Sequence, residues 1–174
     1  MDIWFWLIFI LVVLLWLIGI VVLLLGVPPK PSRQSELDQF FVLAKIRPGE
    51  RVFDLGAGDG RVLQITRDKY GAQISGWELH PLIWLMAKCR LGKDSDIRLA
   101  SLWGARVEEA DVVFVFLMPM FMSKVQKIIW AKLKPGARLV SNSFPMLQEK
   151  PTESCGGVYL YVKPLLSGVR PMSR

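Results

Sequence analysis

Asp54, Gly56, Gly58, Asp59 and Gly60 crowd one short stretch, and a further acid, Glu78, follows 22 residues after Gly56. Glycines at alternate positions cannot continue a strand and are poor in a helix. They tolerate positive φ, and lacking Cβ atoms they let a ligand approach the backbone. Arg51, Val52, Phe53, Asp54 and Leu55 before them read as a short buried strand, and Val62, Leu63 and Ile65 after them resume a helix-compatible apolar pattern. A strand, a glycine turn and a helix build a nucleotide-like site at the carboxyl end of a parallel sheet. Dinucleotide loops run G-x-G-x-x-G and aim free amides at a pyrophosphate. Here the spacing is G-x-G-x-G, and Asp54 and Asp59 flank it. Carboxylates there repel a pyrophosphate and suit a cation, while Glu78, at the end of a second expected strand over 72–77, is placed to accept hydrogen bonds from a ribose diol. Three acids round a glycine turn, without a phosphate-binding lysine, fit S-adenosyl-L-methionine, whose sulfonium and ammonium groups are positive.

The run from Asp54 to Gly60 followed by Glu78 resembles the first two motifs of the class I S-adenosylmethionine-dependent methyltransferases. The segment from Lys132 through Pro135-Gly136 to Val140 is similar to the approach to their fifth strand. A narrower likeness runs through Asp59-Gly60-Arg61, Trp77-Glu78-Leu79-His80-Pro81, Ser101-Leu102-Trp103, the stretch 112–119 and Ser143-Phe144-Pro145. It is to small membrane-anchored protein-lysine methyltransferases, whose mitochondrial members modify the c-type polypeptide of ATP synthase or the adenine nucleotide translocase. The resemblance implies an α/β fold: a Rossmann-like, doubly wound, mostly parallel sheet, preceded here by one transmembrane helix. It also implies a cofactor site made by Asp54, Gly56, Gly58, Asp59, Gly60, Glu78, Leu79, Ser101, Leu102 and Leu117. Leu79 would cover an adenine face, and Leu102 and Trp103 would line the adenine pocket. Ser101 stands where such enzymes often carry Asp, which weakens that one contact.

The elements that must position these groups follow in order. Residues 3–27 carry no charge, and their only non-apolar members are Gly19 and Gly26. As a helix they would measure about 37 Å, enough for a hydrocarbon core of about 30 Å with some tilt. A signal peptide needs a basic start and a shorter apolar core; this run follows Asp2 and is too long, so it reads as a retained anchor in contact with the bilayer. Lys30, Arg33, Lys45, Arg47 and Arg51 come after it, which puts the larger part on the cytoplasmic side or its equivalent. Beyond the span, 22 basic residues face 14 acidic ones, a formal +8, because the fifteenth acid is Asp2. That excess suits anionic headgroups. The basic residues are dispersed with no aromatic-interleaved RNA motif, which argues against nucleic acid as partner. The expected organisation is an anchor over 1–27, a linker and leading helix over 28–45, a methyltransferase domain over 46–165 and a tail over 166–174.

Pro28 to Ser32 read as a stiff connector. Ser35-Glu36-Leu37-Asp38 resembles a capping box, and Leu37, Phe40, Phe41, Leu43 and Ala44 give the helix after it an apolar face. A first crossover helix is expected over 61–70, ended by Gly71. A second has Pro81 in its first turn and His80 as cap, with Leu82, Ile83, Leu85, Met86 and Cys89 facing the core. A strand is expected over 97–100. The apolar run 111–117 reads as a central strand covered on both faces; it ends in Leu117-Met118-Pro119, without the Asn or Asp and paired prolines of base-methylating enzymes. A helix over 120–133 should bury Met122, Val125, Ile129 and Leu133 and expose Lys124, Lys127 and Lys134. A fifth strand over 137–141 emits Asn142, Ser143 and Phe144, expected to orient an incoming amine and wall its stem. A last strand spans 157–163, with room for only a small hairpin before it.

Cys89 and Cys155 lie far apart and one histidine is present, so no metal site is expected, and both thiols are expected to be reduced and structural. The function expected is methylation of lysine on a protein in or at the membrane. A lipid or quinone methyltransferase, or a non-catalytic cofactor-binding component of a membrane complex, would use the same anchor and fold. His80 sits beside Glu78, on the ribose side, so no general base is named.

Overall fold

The computed structural model describes residues 2–24 and 34–165. The connector at Pro28–Ser32, the last three residues of the apolar run and the tail over 166–174 lie outside them. Helix α1 (Ile3–Leu24) is long and apolar enough to cross a membrane, and none of its apolar stretch is buried against the rest of the chain. After it come α2 (Gln34–Ala44), β1 (Arg51–Leu55), α3 (Arg61–Tyr70), β2 (Gln73–Glu78), α4 (Pro81–Leu91), β3 (Ile97–Leu99), β4 (Val112–Val115), α5 (Pro119–Lys124), β5 (Arg138–Asn142), β6 (Glu153–Cys155) and β7 (Val158–Val162). The strands form one sheet in the order β3-β2-β1-β4-β5-β7-β6, parallel from β3 to β5 and closed by an antiparallel hairpin. The order reverses between β1 and β4, the switch point at which open α/β sheets bind ligands. The loop that follows β1 is the glycine turn.

Parallel strands covered on both faces must be apolar on both, and they are. Val113, Val115, Leu139 and Phe53 enter one core with Met122, Val125, Ile129 and Trp130. Val52, Val112, Phe114 and Val140 enter the other with Leu37, Phe40, Phe41, Leu43 and Ala44 of α2. The expected apolar face of α2 is therefore its packing face; the Phe40 ring lies 4.1 Å from that of Phe114, centroid to centroid, and Phe41 stacks on Tyr70. The helix begins at Gln34, so Ser35 lies inside its first turn and not at the cap position.

Three further expectations change. Helix α4 turns Leu82, Leu85, Met86 and Cys89 outward and buries Ala87 and Leu91. It covers the sheet near its β3 edge and is drawn in by the small Ala87, so a narrow stripe suffices. Cys155 is exposed as well, so neither thiol is a packing residue. The helix expected over 120–133 is a composite: one α turn and a half, then a π-helical stretch (Val125–Ile129), then a 3-10 turn (Trp130–Lys132). The widening keeps Met122, Val125 and Ile129 buried together. Lys134 is not simply solvated but pairs with Asp111, and Lys124 lies over the Trp103 ring, 4.2 Å from its centroid. The terminal hairpin turns through Gly156 and Gly157, both at positive φ, as the tightest hairpins require.

Gly76 on β2 sits where no side chain fits. A Cβ there would stand 2.7 Å from Leu63 Cδ1, 2.8 Å from Ile97 Cδ1 and 3.0 Å from Ala57 Cβ. Gly76→Ala should cost about 1–3 kcal/mol by overpacking, read as a lower urea midpoint of the full chain in detergent with an unchanged slope.

Candidate active site

The loop after β1 differs from a phosphate cradle in where its amides point. Gly56 N–H and Ala57 N–H both donate to the Trp77 carbonyl at 2.9 Å, and Gly60 N–H donates to the Ala57 carbonyl. Gly58 N–H donates to Glu78 Oε2 at 3.0 Å and Arg61 N–H to Asp59 Oδ1 at 3.2 Å. Donors that a dinucleotide loop would offer to a pyrophosphate are engaged by the protein's own oxygens. The three glycines have distinct reasons. Gly56, Gly58 and Gly60 all adopt positive φ. At Gly60 a Cβ would also strike Leu91 and Ala87, whereas at Gly56 and Gly58 the nearest atoms are 4.0 Å away. The first two thus leave open space over the backbone, which a ligand can enter.

Asp54, next to last in β1, has 6% of its surface exposed. Burial, then the charges of Glu78 and Asp59, push its carboxyl up to about 7. Such a group is held ready for a cation, which would restore its ionised form. Glu78 is as deeply set and anchored at both oxygens, since His80 N–H donates to Oε1 at 2.8 Å. Each carboxylate oxygen keeps a lone pair, enough to accept from a ribose diol. Beside it His80 Nδ1 is buried without a partner; its ring makes no capping hydrogen bond, although His80 holds the cap position of α4. Two acids, an open glycine cradle and a spare buried nitrogen fit a cationic nucleoside such as S-adenosylmethionine.

Asp59, expected at the cofactor, also makes ion pairs within the chain. Its carboxylate pairs with Arg90 at 2.9 Å and Arg61 at 3.7 Å, and Arg90 Nε also bonds the Asp59 carbonyl. These pairs tie the loop to α4. Leu79, 38% exposed, is free to cover a ring, and Ser101 is exposed at the head of a short 3-10 turn (Leu102–Gly104). Leu102, expected to line a pocket, has its side chain in the core. Leu117, 2% exposed, lies against the open side of Gly56.

The carboxyl end of β5 contributes a second group. Asp54 is level with Phe114 and Phe114 with Val140, so Asn142, two residues further, shares the face of Asp54. Ser143 has φ of +68°, rare for a residue with a side chain. The reversal sends Phe144 back to the opposite core, where it is half-buried. It is held by Ser141 Oγ–H donating to the Phe144 carbonyl at 2.6 Å and Met146 N–H donating to Tyr161 Oη at 2.8 Å. Asn142, Ser143 and Phe144 therefore do gather at the carboxyl edge. Sequence reasoning missed Arg90, and it missed Glu36 on α2, whose Oε2 accepts from Asn142 Nδ2 at 3.2 Å. Arg90 had no local signal; Glu36 stood in the capping-box pattern, where it was read as a helix-start residue only. A polar cleft of about 300 Å³ lies at the other, amino end of the strands, lined by residues such as Arg51, Gln73 and Asp96, and contains none of these groups.

Burying Asp54 costs stability. Its folded value, about 7, exceeds the ordinary 3.8, so the ligand-free fold loses stability as pH rises from about 4 to 7 and keeps the full penalty above that. Asp54→Asn should raise the melting temperature of the ligand-free chain at pH 8 by several degrees and leave it nearly unchanged at pH 4, by scanning calorimetry.

Residues 54–153, more than half of the chain, match the family model described as the ANTKMT methyltransferase domain. The adenine nucleotide translocase lysine N-methyltransferase of Mus musculus is 31% identical over 139 residues, covering 76% of this chain and 59% of that protein. The lysine N-methyltransferase of Mus musculus named for the c-type polypeptide of ATP synthase is 26% identical over 134 residues, covering 74% and 53%. The chain thus spans between half and two thirds of the length of these relatives. Among solved structures, an RNA methyltransferase from Salinibacter ruber in complex with S-adenosyl-L-homocysteine superposes with a TM-score of 0.72 at 27% identity, over 83% of this chain and 98% of that one. With the 3-2-1-4-5-7-6 sheet and the acid-flanked glycine turn already in place, these likenesses make the chain a member of the ANTKMT methyltransferase domain family.

Proposed function

We propose that this chain is an S-adenosylmethionine-dependent protein-lysine N-methyltransferase, held at a membrane by residues 3–27 and acting on a lysine of a protein in or beside the bilayer. The observation that carries the reading is the glycine loop: its amides are turned inward while Asp54 and Glu78 remain, an arrangement for a cation and a diol. The substrate class follows the relatives, which are named for lysine methylation of the adenine nucleotide translocase and of ATP synthase.

The cofactor, when bound, supplies a methyl group already activated by its sulfonium. Asp54 would hold its ammonium group, Glu78 its ribose, and Leu79 and Ser101 the adenine end, with Leu117 against the loop. What remains for the chain is to admit a lysine amine, let it lose its proton to water and aim it. An unperturbed lysine titrates near 10.4, and an apolar channel lowers that value. Leu117 and Phe144 supply apolar walls, while Asn142 Oδ1 and Ser143 Oγ supply acceptors for the amine hydrogens. Correct aim alone is worth several kcal/mol, against about 7–11 kcal/mol for ideal intramolecular geometry.

The anchor reading rests on the length and composition of α1 and on covalent reach. Helix α2 starts at the carboxyl edge of the sheet, because Glu36 meets Asn142. Ten residue steps separate Leu24 from Gln34, so this edge stands within about 36 Å of the end of α1. A site so tethered serves lysines at shallow depth. Lys30, Arg33 and Lys45 after the span favour the cytoplasmic side or its equivalent.

Membranes from cells lacking the gene, incubated with the full chain and methyl-labelled cofactor, should gain label on protein lysines, seen as methyl mass increments in peptide mass spectrometry. Label confined to lipid, quinone or RNA would overturn the lysine reading. Cofactor binding should also depend on pH. If binding requires ionised Asp54, titrating at about 7, affinity by calorimetry should rise about tenfold from pH 5.5 to pH 7, and Asp54→Asn should flatten the profile.

A further inference from the structure

Helix α2 is pinned along β5 from end to end. At the start of the strand, Arg138 Nη1 donates to the carbonyls of Ala44 and Lys45, both at 2.7 Å, and Arg138 pairs with Glu50. This is a basic side chain satisfying the last carbonyls of a helix. At the end of the strand, Asn142 Nδ2 donates to Glu36. Between these points Leu37, Phe40, Phe41 and Leu43 are buried. The helix therefore runs antiparallel to β5, and its first turn overhangs the carboxyl edge with no freedom to slide.

The amide of Asn142 has two ends of similar shape and opposite character. A carboxylate only accepts, so Glu36 selects the orientation in which Nδ2 faces α2. The oxygen Oδ1 must then face the other way, where it accepts from Ser143 Oγ–H at 3.3 Å, which leaves one lone pair on Oδ1 and both on Oγ. Asn142 is 3% exposed and Glu36 half-buried. Ser143 is held at φ +68° by its N–H donating to the Gly157 carbonyl at 2.8 Å. A strained backbone maintained by several partners is a common mark of a functional position. A neutral amine that must donate its hydrogens while presenting its lone pair needs oxygen acceptors, and this arrangement delivers two.

We propose that Glu36 is a positioning residue for methyl transfer: by fixing the Asn142 amide, it aims Asn142 Oδ1 and Ser143 Oγ as a pair of acceptors for the incoming lysine amine. The assignment rests on the lysine methyltransferase reading above and adds to it a group from α2, the helix nearest in sequence to the proposed anchor. Glu36 itself need not touch the substrate. Its role is to keep the Asn142 oxygen, and not its NH₂, on the substrate side.

The test uses the full chain, labelled S-adenosylmethionine and gene-deficient membranes as acceptor, with membrane amount varied to separate kcat from KM. Glu36→Gln offers a donor as well as an acceptor, so the amide can invert. It should lower kcat by about ten- to a hundredfold, the scale of a small misalignment, while cofactor affinity and melting temperature stay near wild type. Glu36→Asp, which only accepts, should recover part of the rate. Glu36→Gln with wild-type kcat would overturn the proposal, and so would a rate loss that merely follows lost cofactor binding or lost thermal stability. Failure of the wild-type chain to label lysine in the same assay would instead remove the lysine reading itself, and this assignment with it.

Discussion

The carbonyl of Trp77 and the carboxylate of Glu78 govern the site. Both lie at the end of β2, and between them they take the amides of Gly56, Ala57 and Gly58. A strand next to β1 thereby consumes the donors of the loop that follows β1. Backbone amides must be satisfied once buried, and the partner chosen decides the ligand. Left free at a helix start, they would attract phosphate; turned inward, they leave acids as the exposed character of the cradle. The same two residues fix how close the loop lies to Asp54, and hence how strongly Glu78 disfavours the charge on it.

That arrangement puts stability and binding in opposition. A carboxyl pushed up to about 7 makes the empty site costly to keep ionised near neutrality. A ligand ammonium that paired with the charge would remove the penalty. Affinity for such a ligand would then come partly from relief of a defect built into the empty fold, the usual form of the conflict between function and stability. Asp59 shows the alternative: a carboxylate in the same loop, matched by Arg90 and Arg61, that ties the loop to α4.

Most of the fold was legible in the sequence because parallel strands buried on both faces leave a plain apolar signature. The boundaries of β1 and α3, the acid ending β2 and the buried face of α2 were all readable from residue type and spacing. The α4 face was not. Leu82, Leu85 and Met86 recur at helical spacing, yet periodicity tells which residues share a face and not which way that face turns; Ala87 and Gly60, by permitting close approach, decided it. The site was legible where motifs are local, as at Asp54, Gly56 and Glu78. It was not legible where partners come from distant parts of the chain. Nothing local to Asp59 announces its ion pair with Arg90, 31 residues on. Glu36 and Asn142, 106 residues apart, share no motif.

Helix α2 connects these scales. An amphipathic helix laid on a sheet needs only its apolar face to be stable, and Phe40 and Phe41 supply that. The polar bonds at its two ends add register. Arg138 sets where the helix stops and Asn142 where its first turn lies, so the helix cannot shift along β5 without breaking one of them. The chain that leaves this first turn leads back to α1 within ten residue steps. Bracing of this kind holds Asn142 and Ser143 in fixed register at the carboxyl edge of the sheet.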